Sequence, residues 1–209
     1  MNGEAHDNPR RAYFDELSER WDQIYDIGRA RPLLCAGLER LGVAPGERVV
    51  DLGCGTGVLL GCLIDHLGPA GRIEAIDLAP RMIAASRRKF PDPRVSYHVA
   101  DAASLPLEDN SIDRLICFSA WPHFPDPDAV VQEAARVLRP GSRLHVWHID
   151  SRQKINDIHR NAGPAVQRDF LEEAPALADR MQRCGMQIES IRDDDEAYEV
   201  GASMPYTTT

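Results

Sequence analysis

The run Val49-Val50-Asp51-Leu52-Gly53-Cys54-Gly55-Thr56-Gly57 concentrates what a small-ligand site needs. An apolar strand delivers a carboxylate, Asp51, into a turn with glycines at alternate positions, and a helix-like segment follows. Glycine admits positive φ and lets a ligand approach bare backbone, while the first turn of a helix offers unpaired N–H groups. Further carboxylates end later apolar runs: Asp77 in RIEAIDL and Asp101 in VSYHVAD. Histidines gather in the second half, with His123 beyond the run DRLICFS, His145 and His148 in RLHVWHI, and His159 in the helical pattern after it. His123, His148 and His159 could converge on a substrate. They would then act as a general base for an oxygen, nitrogen or sulfur nucleophile or as ligands for a divalent metal, or they could simply pack; residue types alone leave these open. Their spacing matches no defensible metal motif, and His145, farther inside its strand, is expected to be structural.

Spacing separates the rival uses of a glycine turn. A dinucleotide fingerprint would place its third glycine at position 58, where Val58 stands, and a P-loop would end in Gly-Lys-Ser/Thr, which is missing. Asp51 would repel a pyrophosphate but attract an ammonium or sulfonium group.

These groups need a scaffold, and the hydrophobic pattern supplies one. A helix is expected from Pro9 to Ile27, with Tyr13, Phe14, Leu17, Trp21, Ile24 and Tyr25 on one face, and a second from Pro32 to Leu41. From Arg48 onward short apolar runs alternate with helical segments over 57–67, 80–89 and 128–138, giving five strands of a mainly parallel sheet. Ligands of such sheets bind at the carboxyl ends of the strands, where Asp51, Asp77, Asp101, Phe118 and His148 fall. Helices are expected from Ser151 to Arg160 and from Phe170 to Cys184, followed by strands over 186–191 and 196–203.

Composition bounds the partners. The 209 residues suit one domain, and 33 acidic against 24 basic residues give a net charge of -9 that repels nucleic acid and anionic lipid. No apolar run is long enough to span a membrane, and no secretory leader is recognisable. Five cysteines without a CxxC pair predict no disulfide framework, hence a reduced, cytoplasmic setting. Nothing in the sequence fixes an oligomeric state.

VVDLGCGTG resembles motif I of the class I S-adenosylmethionine-dependent methyltransferases, and EAIDLAPRMI, VSYHVADA, DRLICFSAWPHFPDP and RVLRPGSRLHV resemble the family's later motifs in order. The resemblance implies a Rossmann-like α/β fold: a doubly wound, seven-stranded, mainly parallel sheet whose C-terminal hairpin is reversed, strand seven lying antiparallel between five and six. It implies S-adenosylmethionine as cofactor, with Asp51, Gly53, Cys54 and Gly55 around the methionine moiety, Asp77 on the ribose, Leu78, Asp101 and Ala102 around the adenine, and Phe118 beginning the methyl-facing wall. Residues 1–30 resemble the helical lid of small-molecule relatives, Tyr25 included, ahead of a catalytic domain over 31–209; ordinary packing of an amphipathic helix is the alternative. The loop Phe118-Ser119-Ala120-Trp121 lacks the Asn/Asp-Pro-Pro-aromatic sequence of amino-methylating DNA enzymes, so the expected acceptor is a small molecule, methylated at an oxygen, nitrogen, sulfur or carbon nucleophile by in-line SN2 transfer. A cofactor-binding sensor or scaffold without turnover and, less favoured by Val58, a nicotinamide-dependent oxidoreductase are the other readings.

Overall fold

A computed structural model describes residues 8–24 and 27–206. Among them, seven strands form one sheet: β1 (Arg48–Leu52), β2 (Arg72–Asp77), β3 (Val95–Val99), β4 (Ile112–Phe118), β5 (Leu138–His148), β6 (Gln187–Asp193) and β7 (Tyr198–Ser203). Their order is β3-β2-β1-β4-β5-β7-β6. The first five run parallel, and β7 pairs antiparallel with both β5 and β6, as the resemblance implies. The order reverses between β1 and β4, so the ligand crevice of an open α/β sheet belongs at their carboxyl ends.

The strands are buried on both faces, and their alternation sorts side chains into two cores. Val50, Leu52, Leu115, Leu144, Val146 and Val200 face α6 (Pro127–Val137) and α8 (Ala174–Arg183). Val49, Ile73, Ala75 and Ile116 face α3 (Ile27–Arg40) and α4 (Leu60–Leu67). The remaining helices are α1 (Pro9–Leu17), α2 (Trp21–Ile24), α5 (Pro80–Lys89) and α7 (Arg152–Arg160).

Several boundaries depart from the sequence reading. The single helix expected over 9–27 is broken after Leu17, where the Ser18 hydroxyl donates to the Asp15 carbonyl at 2.7 Å and offers the backbone an alternative to helix. The next helix begins at Ile27, before Pro32; the ring is exposed, and burial of Ala30, Leu34 and Leu38 outweighs the lost N–H bond. Helix α4 starts at Leu60 because Gly55 and Gly57 hold positive φ, 53° and 87°, keeping the preceding turn non-helical. Helix α8 starts at Ala174, with Pro175 in its first turn, leaving Phe170 outside and half exposed.

The cysteine expectation is overturned. Cys35 on α3 and Cys62 on α4 form a disulfide with Cα atoms 5.2 Å apart, while Cys54, Cys117 and Cys184 are free. The pairing joins residues 27 apart on two packed helices, a proximity that Cys spacing cannot reveal. No described helix is long and apolar enough to cross a membrane.

Candidate active site

The glycine turn is stapled to the neighbouring strand end. The N–H groups of Gly53 and Cys54 both donate to the Ile76 carbonyl, at 2.8 and 3.0 Å, so the turn leaving β1 sits against the end of β2. This brings the Gly55 N–H to Asp77, whose Oδ2 accepts it at 2.9 Å while Oδ1 accepts from Ala79 N–H at 2.9 Å. Gly53 has φ of 74°, and a Cβ there would lie 2.4 Å from the Ala120 Cβ; only glycine fits.

Asp51, the penultimate residue of β1, is buried, with Oδ2 lacking any hydrogen-bond partner in the protein. Burial pushes its carboxyl up to about 7, and the charge of Asp77 adds to the rise. Burial also raises Asp77, against the two N–H bonds it accepts. A buried carboxylate oxygen without a donor is costly unless a cation or a proton satisfies it. A ligand ammonium meets that need, and the glycine turn leaves room for the rest of an aminoacyl group. These residues therefore fit the methionine end of S-adenosylmethionine.

Around this turn lie three small connected cavities. One, of about 40 Å³, is lined by Asp51, Gly53, Cys54, Gly55 and Phe118. A second, of about 90 Å³, includes Gly53, Asp77, Leu78 and His123. A third, of about 50 Å³, includes Asp77, Leu78, Asp101 and Ala102. Every cofactor-site residue expected from sequence, apart from Tyr25, thus borders one groove; Tyr25 lies outside the described residues. Asp101 is exposed and spends Oδ1 on the Ala103 N–H at 2.9 Å. Cys54 is buried, which raises its thiol well above the ordinary range and keeps it protonated.

The N-terminal segment, residues 8–24, fills part of this groove. Arg10, Phe14 and Trp21 line the 90 Å³ cavity, and Trp21 also lines the cavity beside Asp51. Polar contacts fasten it: Asp22 accepts from the Thr56 hydroxyl at 2.6 Å and from Lys89 at 2.7 Å, and Asp15 accepts from the Arg81 N–H at 2.8 Å. Whole-ligand pockets run to roughly 300–1,000 Å³. A cofactor-sized molecule therefore needs this segment to shift.

A larger cavity, of about 400 Å³, opens on the other side of Ser119. Its wall is apolar, from Tyr13, Phe14, Leu17, Ile149, Ile155 and Val166, with Ile24 and Ile158 half exposed or more around it. Within it converge the three sequence-singled histidines: His123, His148 and His159 all line it, and the rings of His123 and His159 are 4.8 Å apart. Trp21, Ser119 and His123 border both this cavity and the cofactor groove. Ser119 holds φ of 54°, a conformation that costs a non-glycine residue and that clusters at functional turns.

The histidines differ in setting. His123 Nδ1 lies 2.9 Å from the Asp169 carboxylate, and His159 Nδ1 lies 2.5 Å from the Asp169 carbonyl. Both are acceptors, so each ring carries its hydrogen on Nδ1. His148 is buried with neither nitrogen paired, and burial, followed by the neighbouring His123 and His159, pushes it down to about 3. It is neutral at physiological pH. His145 is separate and structural: its Nε2 lies 2.8 Å from Nη1 of the buried Arg114, which also donates to Glu47 and to the Leu41 and Gly42 carbonyls. Among the described residues, no group of three His, Cys, Asp or Glu side chains is arranged to hold a metal ion.

Sequence reasoning missed Arg10 and Asp169. Arg10 donates from Nε and Nη2 to the Asp169 carboxylate, at 3.0 and 2.5 Å, and lines the cofactor groove. Asp169 lies in QRDFLEE, a stretch with no periodicity or spacing to mark it.

Residues 50–146 match the methyltransferase domain family. The chain is 31% identical over 167 residues to methyltransferase GfsG of Streptomyces halstedii, covering 76% of this chain and 59% of that one. It is 28% identical over 162 residues to a 2-phytyl-1,4-naphtoquinone methyltransferase of Trichormus variabilis, covering 73% and 71%. It spans only 38% of an uncharacterized transposon TN4556 protein of Streptomyces fradiae, with 40% identity over 131 residues. A SAM dependent methyltransferase from Aquifex aeolicus superposes with a TM-score of 0.68 at 20% identity, over 81% of this chain and 88% of that one, a likeness of fold. Its ordered motifs, its reversed hairpin and its matching domain together support a class I S-adenosylmethionine-dependent methyltransferase.

Proposed function

We propose that this protein moves a methyl group from S-adenosylmethionine to an oxygen, nitrogen, sulfur or carbon nucleophile of a small, largely apolar acceptor. The observation that carries this reading is the apolar, histidine-lined cavity of about 400 Å³ that adjoins the cofactor groove at Trp21, Ser119 and His123. A ring-bearing acceptor suits its aromatic and aliphatic wall. The relative named for 2-phytyl-1,4-naphtoquinone supports an acceptor of that character.

When bound, S-adenosylmethionine supplies an electrophilic methyl group on a sulfonium, so transfer depends chiefly on in-line positioning. Asp51 pairs with the ammonium of the cofactor, Asp77 takes the ribose hydroxyls, and Leu78, Asp101 and Ala102 border the adenine. Phe118, packed on Trp147 with ring centroids 4.9 Å apart, forms a rigid wall beside Asp51. Residues 8–24 act as a lid over both ligands, excluding water from the reacting atoms.

Among the histidines, His123 is the base for the acceptor proton. Its Nδ1–H is committed to Asp169, which leaves the Nε2 lone pair as the ring's proton-accepting site. His148, kept neutral by burial, supplies a polar contact for the acceptor, and His159 packs against His123. The net charge of -9 supports a small-molecule acceptor over nucleic acid.

Isothermal titration with S-adenosylmethionine and S-adenosylhomocysteine, with NAD as control, tests the cofactor. Binding of the first two but not the third is expected, and NAD binding alone would overturn the reading. Formation of S-adenosylhomocysteine in the presence of a panel of phenols, hydroquinones and apolar amines tests the acceptor. Cofactor binding without product from any of them would favour the sensor reading.

A further inference from the structure

Asp169 occupies an unusual position for a residue in an irregular connection. It is 2% exposed and touches three functional groups at once. Its carboxylate receives Arg10 from α1 through two nitrogens and His123 through Nδ1, while its backbone carbonyl receives His159 Nδ1. Arg10 lies on the cofactor side, lining the groove with Asp77 and Leu78, whereas His159 lies on the acceptor side. His123 borders both. The chain around Asp169 is itself pinned: Asn156 on α7 donates to the Leu171 carbonyl at 3.1 Å and accepts from its N–H at 2.7 Å, so Asp169 is held against the helix that carries His159.

We propose that Asp169 is the positioning residue for His123, fixing its ring as the Nδ1–H tautomer with Nε2 left to accept a proton, and that Arg10 of the lid holds the carboxylate to that task. The inference rests on the methyltransfer reading for its purpose but not for its geometry. A neutral imidazole has one donor and one acceptor nitrogen, and a hydrogen bond to a carboxylate decides which is which. Burial alone would raise the Asp169 carboxyl, but the bonds from His123 and Arg10 outweigh it and hold the group below the ordinary value of 3.8, so it stays an acceptor. Two oxygens are shared between a ring and a fork-shaped guanidinium, and this fixes the plane of the carboxylate as well as its place. Without Arg10 the carboxylate can rotate, and the ring loses its reference.

The two contacts made by Asp169 carry their own control. Replacing Asp169 by Asn alters the partner of His123 but keeps the backbone carbonyl that His159 uses. The test is long-range proton–nitrogen correlation of the full chain labelled with 15N-histidine, at pH 8, with the His123 signals assigned from their loss in His123→Gln. In the wild type, both His123 and His159 are expected as Nδ1–H tautomers. Asp169→Asn should shift His123 to a mixed or Nε2–H form while His159 keeps its signature, and Arg10→Met should produce a smaller shift of the same sign. A wild-type His123 in the Nε2–H form overturns the proposal without any variant, so it stays decidable even if Asp169→Asn fails to fold. His123 unchanged in Asp169→Asn also overturns it, and His123 unchanged in Arg10→Met removes the lid from it. Titrating the wild-type sample with S-adenosylhomocysteine separates the two levels: failure to bind would overturn the methyltransferase reading and leave the tautomer result standing.

Discussion

Around Gly53, neighbouring strand ends and one glycine turn bring Asp51, Gly55 and Asp77 together through backbone hydrogen bonds to Ile76 and Asp77. Around His123, the walls come from α1, the turn after β4, the last residue of β5, α7 and the connection at Asp169, and side chains hold them together. The first region is built by the sheet and has little freedom to change without unmaking the fold. The second is assembled from segments at the rim, so its lining can vary while the scaffold stays. That division suits a family in which one cofactor serves many acceptors.

Four measurements would break or sharpen this contrast. His123→Gln is expected to lower turnover by about 10²–10⁴-fold, the usual worth of a general base, with S-adenosylhomocysteine affinity within about threefold of wild type. Steady-state assays with an acceptor identified from the panel check this, and equal turnover would return His123 to packing. Gly53→Ala is expected to cost about 2–4 kcal/mol in urea unfolding, because it adds a positive-φ strain to a clash with the Ala120 Cβ. A loss under 1 kcal/mol would mean the turn is softer than the contrast requires.

The third is a pH dependence. In the ligand-free protein Asp51 titrates near 7, above its ordinary 3.8, so the folded state holds a proton that the unfolded chain releases. Its contribution to stability therefore falls as pH rises from about 4 to 7 and is level above that. Pairing with an ammonium favours the ionised form, so ligand affinity moves the other way: S-adenosylhomocysteine should bind about tenfold more weakly at pH 6 than at pH 8. Asp51→Asn should flatten that difference, and a flat wild-type titration would place the ammonium elsewhere. The smallest expected effect is at the rim. Ile158→Ala should change the acceptor KM by about threefold, roughly the transfer energy of part of a half-exposed side chain, and leave cofactor affinity untouched. An equal change in both affinities would mean that the two regions are not separable.

The same division explains what could be read from the sequence. The fold and the gathering of the expected residues around the glycine turn were legible because they are local: strand run, glycine turn, helix, then an acid at the end of the next strand. Val58 in place of a third glycine weighed against the dinucleotide fingerprint. The three histidines could be brought to one place because strand ends and helix period set their positions, but their separate settings could not. Those depend on Asp169 and Arg10, which approach from opposite ends of the chain. Ser18 breaking the first helix, and Pro32 failing to begin the second, turned on single hydrogen bonds and burial that periodicity does not weigh. The Cys35–Cys62 bond was invisible for the same reason as Asp169.

That disulfide also sets where motion can begin. It ties α3 to α4, the helix that follows the glycine turn, so α3 belongs mechanically to the body of the protein although it follows α1 and α2 in the chain. On the proposed lid role, the movable part ends where α3 starts. Amide exchange should show a sharp step there, with fast exchange through α1 and α2 and slow exchange from the second turn of α3 onward, and reducing the bond should blur the step toward Cys35.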